Sequence, residues 1–171
     1  VIGRHIPQLQ FLDVLLGSEP ALDPPTRIYQ RLIADDADEA IEIANVESRK
    51  DGVTAFYDGI GLDVLRLASD DHVDVASAEH RLRIVNGMDA LLDDLEADFP
   101  PPAPVAADPV RAVCIGGKWE VDAIAARMLA HAMRCEGIAA ESRPAASITA
   151  DYVASLKLDH AEAVCLSYFS T

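Results

Sequence analysis

Five of the ten prolines in the chain fall within residues 100–109, at Pro100, Pro101, Pro102, Pro104 and Pro109. Proline fixes φ and lacks an amide donor, so such a run can be neither a helix interior nor a central strand. The stretch reads as an extended, semi-rigid linker. It divides the chain into two parts with different hydrophobic periods.

The part before it has helical spacing. Residues 1–22 hold a short amphipathic segment, PQLQFLDVLLG, with Leu9, Leu12, Leu15 and Leu16 on one face and Gly17 as a stop. Residues 23–99 predict an antiparallel bundle of helices. Asp23 is placed to cap a helix that tolerates Pro24 and Pro25 in its first turn and carries Ile28, Leu32 and Ile33. The acids of Asp35-Asp36-Ala37-Asp38 open the next helix, with Ala40, Ile43, Ala44 and Val46 inward and Arg49-Lys50 at its negative end. Val53, Phe56, Tyr57, Ile60, Val64 and Leu67 form a third stripe, and SDDHVDVA reads as a polar turn. The last stripe is Ile84, Val85, Met88, Leu91, Leu92 and Leu95.

After the prolines the pattern becomes strand, helix, strand, helix, strand across residues 110–171. VRAVCIG (110–116) is a short apolar run closed by glycines, as a buried parallel strand requires. A helix is expected from Glu120 to Cys135, with Ile124, Met128, Leu129 and Ala132 toward the sheet and Gly137 at its end. A weak strand at 138–142, a helix near 149–157 and a strand at 161–169 follow. Right-handed crossovers then give a doubly wound α/β half-sheet of order 2-1-3. Three strands leave an open edge, which calls for more chain or for another copy of the molecule.

The net charge is −15, and residues 1–99 carry 21 of the 29 acids against 8 of the 14 bases. An acidic bundle repels phosphate backbones, which makes nucleic acid a poor partner. Cys114, Cys135 and Cys165 are odd in number and widely spaced, as expected of free thiols in a reducing compartment rather than of a zinc site. No segment has the roughly 18 apolar residues of a membrane span.

Few residues carry chemistry. Gly116-Gly117 stands at the carboxyl end of the first strand, where a doubly wound sheet binds ligands. It predicts either a backbone open to a flat or phosphate-bearing ligand or a tight turn with positive φ. Glu79-His80 could be a ligand pair, but neighbours on a helix point about 100° apart, so a solvated surface is the plainer expectation. Glu120 and Asp122 suit a helix N-terminus. Trp119 either stacks on a ligand or covers the sheet end. The histidines are scattered, and no hydrolytic triad or metal set stands out.

The order of parts resembles the cobalamin-binding module, a helical cap followed by a flavodoxin-like domain. In its adenosylcobalamin-binding members a Trp precedes Glu-His by ten residues. Here DVASAEH supplies Glu79 and His80, with Ser69 at the tryptophan position. VCIGGKWEVDAIAARMLAHAMRCEG is similar to the segment bearing the D-x-H-x-x-G motif, with Glu120 at the Asp, Asp122 at the His and Ala125 at the Gly. CLSYFST resembles the third strand, with Ser167 at the serine lining the nucleotide pocket. The resemblance implies a cobalamin-binding-like fold whose pocket, if used, would involve Glu79, His80, Gly116, Gly117, Asp122 and Ser167. Asp122 cannot replace an imidazole below cobalt and Ala125 narrows the nucleotide channel, so no normal cobalamin binding is expected.

GRHIPQLQFLDVLLGSEPAL resembles the stretch after the last transmembrane helix of long bacterial autoinducer-2 exporter-like (PerM-type) permeases. That likeness implies that Val1-Ile2 end a membrane helix and that the remainder is a non-enzymatic accessory or regulatory extension. Such an extension would lie on the cytoplasmic face of the inner membrane, hold no cofactor, and have the membrane-embedded part of the permease as its partner. The alternative is a sensor that binds a small molecule, including base-off cobalamin with His80 above cobalt, between cap and sheet.

Overall fold

The computed structural model describes residues 22–74, 78–102, 111–144 and 149–169, without the side chains of 71–74 and 160. The short segment at 7–17 and the prolines at 104 and 109 lie outside these residues. The bundle comprises α1 (Pro24–Ile33), α2 (Ala37–Asp51), α3 (Val53–Phe56), a π-helical turn (Tyr57–Gly61), α4 (Leu62–Asp74) and α5 (Ala78–Asp98). The sheet part comprises β1 (Ala112–Gly116), α6 (Glu120–Cys135), β2 (Ala140–Arg143), α7 (Ala150–Ser155), a 3₁₀ turn (Leu158–His160) and β3 (Ala163–Ser167). The strands are parallel in the order β2-β1-β3, as the crossover argument predicts.

Local chemistry explains most boundaries. Proline opens α1, but the Asp23 side chain makes no capping bond; its backbone oxygen accepts from Arg27 N at 3.0 Å instead. Asp36 does cap α2 with its side chain, accepting from Glu39 N at 3.4 Å. Gly137, at φ 78°, ends α6 in the left-handed region where a Cβ is disfavoured.

One expectation is corrected. The chain stays helical through Asp74, so the polar run after Ala68 extends α4 rather than forming a turn from its first residue. The predicted stripe holds, with Val53, Phe56, Tyr57 and Val64 buried and Ile60 and Leu67 half-buried against the same core. The i→i+5 turn widens it to take in Gly61 and Ala68 as well.

A single large core joins the bundle to the sheet part. It contains Ile28, Leu32, Ile43, Phe56, Leu65 and Leu91 together with Ile124, Ala125 and Met128 from α6. At about 25 cal/mol per Å² of apolar surface, these buried side chains contribute most of the stability. α6 is therefore sandwiched. Its large residues Ile124 and Met128, with Ala132, turn to the bundle rather than to the sheet as the spacing suggested. The sheet receives Ala126 and Ala130, flanked by Leu129 and Met133, against Ala112, Cys114 and Ala140. Alanines there let the helix approach the strands closely. On the other face, Val113 and Ile115 pack under Leu156 with Tyr152 and Leu158.

Ion pairs reinforce the α5–α6 contact. Arg127 reaches Asp93 at 2.5 Å, Glu96 at 2.9 Å and Asp89 at 3.5 Å, and Arg134 meets Glu96 at 3.5 Å. Arg127 is the better placed of the two, since its side chain is only 23% exposed and screening by water is reduced. No described helix is long and apolar enough to cross a membrane.

Candidate functional site

The strand ends gather four of the residues singled out in the sequence. Gly116 and Gly117 close β1, Ser167 closes β3, and Asp122 stands in the first turn of α6. Gly117 N donates to Ser167 O at 3.0 Å, holding the two strand ends together. Neither glycine has a positive φ, so the tight-turn reading is corrected. Their lack of a Cβ serves packing. A Cβ on Gly116 would sit 2.5 Å from the Ala123 Cα, and one on Gly117 would sit 2.6 Å from the Tyr168 ring and 2.8 Å from Asp122 Oδ2. The space beside Gly117 is thus taken by the chain's own ring and carboxylate.

Asp122 does more than complement a helix dipole. It is fully buried, and its oxygens accept from two backbone amides: Trp119 N at 3.0 Å and Phe169 N at 2.8 Å. The first contact is the returning half of a capping box; the second ties α6 to the chain leaving β3. Two amide donors satisfy the buried carboxyl oxygens and repay much of the cost of taking them out of water. On the bundle side, Ser69 Oγ donates to Phe169 O at 3.1 Å. Phe169 is therefore held through both its N–H and its C=O, and its side chain packs against the large core. Ser69 and Asp122, from the bundle and from α6, thus grip the same residue.

Glu79 and His80 lie elsewhere, in the exposed first turn of α5. Glu79 is engaged with Arg83 one turn on, at 2.6 Å. Trp119 carries the Lys118 ammonium 4.6 Å from its ring centre. Ala125 is buried and belongs to the large core, turned toward the bundle.

Sequence reasoning missed a second polar cluster, buried between the π-helical turn and α6. Tyr57 Oη lies 2.8 Å from His131 Nδ1, and His131 Nε2 lies 3.0 Å from Phe99 O. A carbonyl can only accept, so Nε2 carries the proton, and Nδ1 accepts from the Tyr57 hydroxyl. His131 has no exposed surface, and burial holds its pKa below the ordinary imidazole value, which keeps the ring neutral. Burial pushes the Tyr57 hydroxyl far up, with Glu96 adding to the effect. Cys135 Sγ lies 3.4 Å from His131 Nε2, and burial raises its thiol pKa too. A protonated thiol, a neutral imidazole and a protonated phenol form no activated nucleophile. The signal was present in the sequence, since a lone His among Ala130, Ala132 and Met133 needs buried partners. Which partners it finds depends on tertiary packing.

Cys114 and Cys165 are register partners across β1 and β3. Burial and then the neighbouring Cys165 push the Cys114 thiol up to about 11. Among the described residues no group of three or more His, Cys, Asp or Glu side chains is arranged to hold a metal ion. Comparison with protein-family models, with curated proteins and with solved structures finds no match to the chain.

Proposed function

We propose that the chain is a non-enzymatic accessory or regulatory module of a bacterial permease, lying on the cytoplasmic face of the inner membrane. On this reading it follows a cobalamin-binding-like plan, a helical cap on a flavodoxin-like half-sheet, and no longer accepts a corrin. One observation carries the second part. Phe169 is tied by Asp122 and Ser69 at the place where sheet and bundle meet, so a flat ligand would have to break both hydrogen bonds and lift the ring from the core. The permease setting rests on the resemblance of GRHIPQLQFLDVLLGSEPAL alone.

Each part has its own test. Adenosylcobalamin added to the purified chain is expected to keep the visible spectrum of the free cofactor. A saturable base-off spectrum that vanishes in His80→Ala would establish the sensor reading instead. For the setting, the parent reading frame carrying a C-terminal tag is expected to sediment with membranes and to resist carbonate extraction. Recovery of the tagged product in the soluble fraction would remove the permease.

A further inference from the structure

We infer that Cys114 and Cys165 are a redox modification site, a thiol pair that a small hydroperoxide converts to a reversible disulfide between β1 and β3. The inference depends neither on the permease reading nor on what pairs with the outer edge of β3.

The fold selects this pair. Strand register sets Cys114 directly beside Cys165. Side chains alternate along a strand, and both thiols take the α6 side. Cys114 is buried with Ala126 and Ala130, and Cys165 packs against the same cluster. The two groups feel one another, since the charge and the hydrogen bonding of Cys165 add to the burial that raises the Cys114 pKa. Cys135 is out of reach on the other face of α6. Its Sγ stands 3.4 Å from His131 Nε2 and 3.7 Å from Phe99 O, and it packs against the large core. Three thiols allow three pairings, and the packing permits one.

Geometry makes the bridge reversible. Neighbouring strands lie about 4.8 Å apart, so register partners fall inside the Cα range of roughly 4.4–6.8 Å that a disulfide spans. Their side chains stand nearly perpendicular to the sheet, which keeps the Cβ atoms about as far apart as the strands. A relaxed bridge holds them at roughly 3.5–4.5 Å. Closing the bond therefore draws β1 and β3 together and stores strain, and strained disulfides are the easily reduced ones. In a reducing compartment a disulfide of this transient kind serves sensing rather than stability.

The chemistry balances with a hydroperoxide as the oxidant. Cys114 has no exposed surface and burial keeps its thiol protonated, so Cys165 reacts first. Its sulfur attacks the O–O bond and keeps one oxygen as a sulfenic acid, and the rest leaves as the alcohol, or as water from hydrogen peroxide. The Cys114 sulfur then attacks that of Cys165. The S–S bond forms, the S–O bond breaks, and hydroxide leaves as water with the Cys114 proton. The two thiols give up two electrons and two protons, and the peroxide takes both.

Hydrogen peroxide added to the purified chain, followed by alkylation and tryptic mapping without reductant, tests the pair. The expected product is a single chain in which peptide 112–118 is joined to the peptide beginning at Leu158, with Cys135 alone alkylated. Millimolar glutathione should restore all three thiols. Cys114→Ala and Cys165→Ala should each abolish the cross-link, and Cys135→Ala should keep it; the wild-type map decides the pairing even where a variant fails to fold. Three thiols left free, a Cys165 sulfinic acid in place of the cross-link, or a bridge to Cys135 or between chains would overturn the site. A cross-link that resists glutathione would overturn its reversibility.

Discussion

The bundle and the sheet part solve the problem of burial differently. The bundle fills its interior with Ile28, Leu32, Leu65, Leu91, Leu92 and Leu95, all nearly inaccessible, and surrounds it with helices. The sheet part packs Ala112, Ala126, Ala130 and Ala140 on one face of three short strands and leaves Val164 and Leu166 of β3 bare on the other. Small residues bury little apolar area, so a sheet of this kind gains little stability by itself. It gains it through α6, whose outer face lies in the bundle's core. The contrast teaches that the linker prolines mark a change of architecture and not a break in the core.

The largest effect is expected where that dependence is strongest. Leu92→Ala, deep in the bundle, should cost about 2–5 kcal/mol. Hydrogen exchange should show β1 amides losing protection together with those of α5; protection retained in β1 alone would break the comparison and make the two parts independent. Next comes Asp122→Ala, which strands the Trp119 and Phe169 amides. Each buried donor left unpaired costs about 1–3 kcal/mol, measurable by urea titration. Asp122→Asn should recover part of the loss, because one amide oxygen still accepts.

A smaller, pH-dependent effect belongs to His131 at the α6–bundle contact. Its folded pKa is lowered, so both states are neutral above about 6.5 and the full contribution is present there. As pH falls below that value the unfolded chain takes up the proton first, and stability is lost by at most about 1.4 kcal/mol per pH unit. Thermal melts from pH 7.5 down to 5.5 should therefore fall more steeply for the wild type than for His131→Gln. Equal slopes would show that the ring titrates freely. The smallest effect is expected for Glu79→Ala. It removes an exposed i,i+4 pair with Arg83 and should change stability by no more than about 0.5 kcal/mol, sharpening the distinction between this surface turn and the buried strand ends.

Much of the fold was legible because it rests on period and punctuation. The strand order, the span of α6 and the Gly137 stop follow from apolar runs and turn residues. Where the reading failed, packing between elements decided. No pattern in VDAIAARMLAH says that Ile124 and Met128 meet a bundle while Ala126 and Ala130 meet a sheet, since both faces are apolar. The π-helical turn at Tyr57–Gly61 has no hydrophobic signature either. At the strand ends, Gly116, Gly117, Asp122 and Ser167 were found by position in the fold, and the structure does gather them. Their roles were not legible, because the partner that explains Asp122, the Phe169 amide, lies 47 residues away in sequence.

The wide turn at Tyr57–Gly61 has a consequence for how this chain can change length. A helix holding one surplus residue has a ready place to lose it: excising Asp58 or Gly59, both exposed, would tighten the spiral into ordinary α geometry without opening a gap in its hydrogen bonding. Everything downstream would then keep its phase against Val53 and Phe56, because the wide turn takes up the surplus residue locally. Val64 and Leu65 would stay in the core, and Ser69 would keep its aim at Phe169. The spare residue thus marks the one step of this helix that can shorten without disturbing either end.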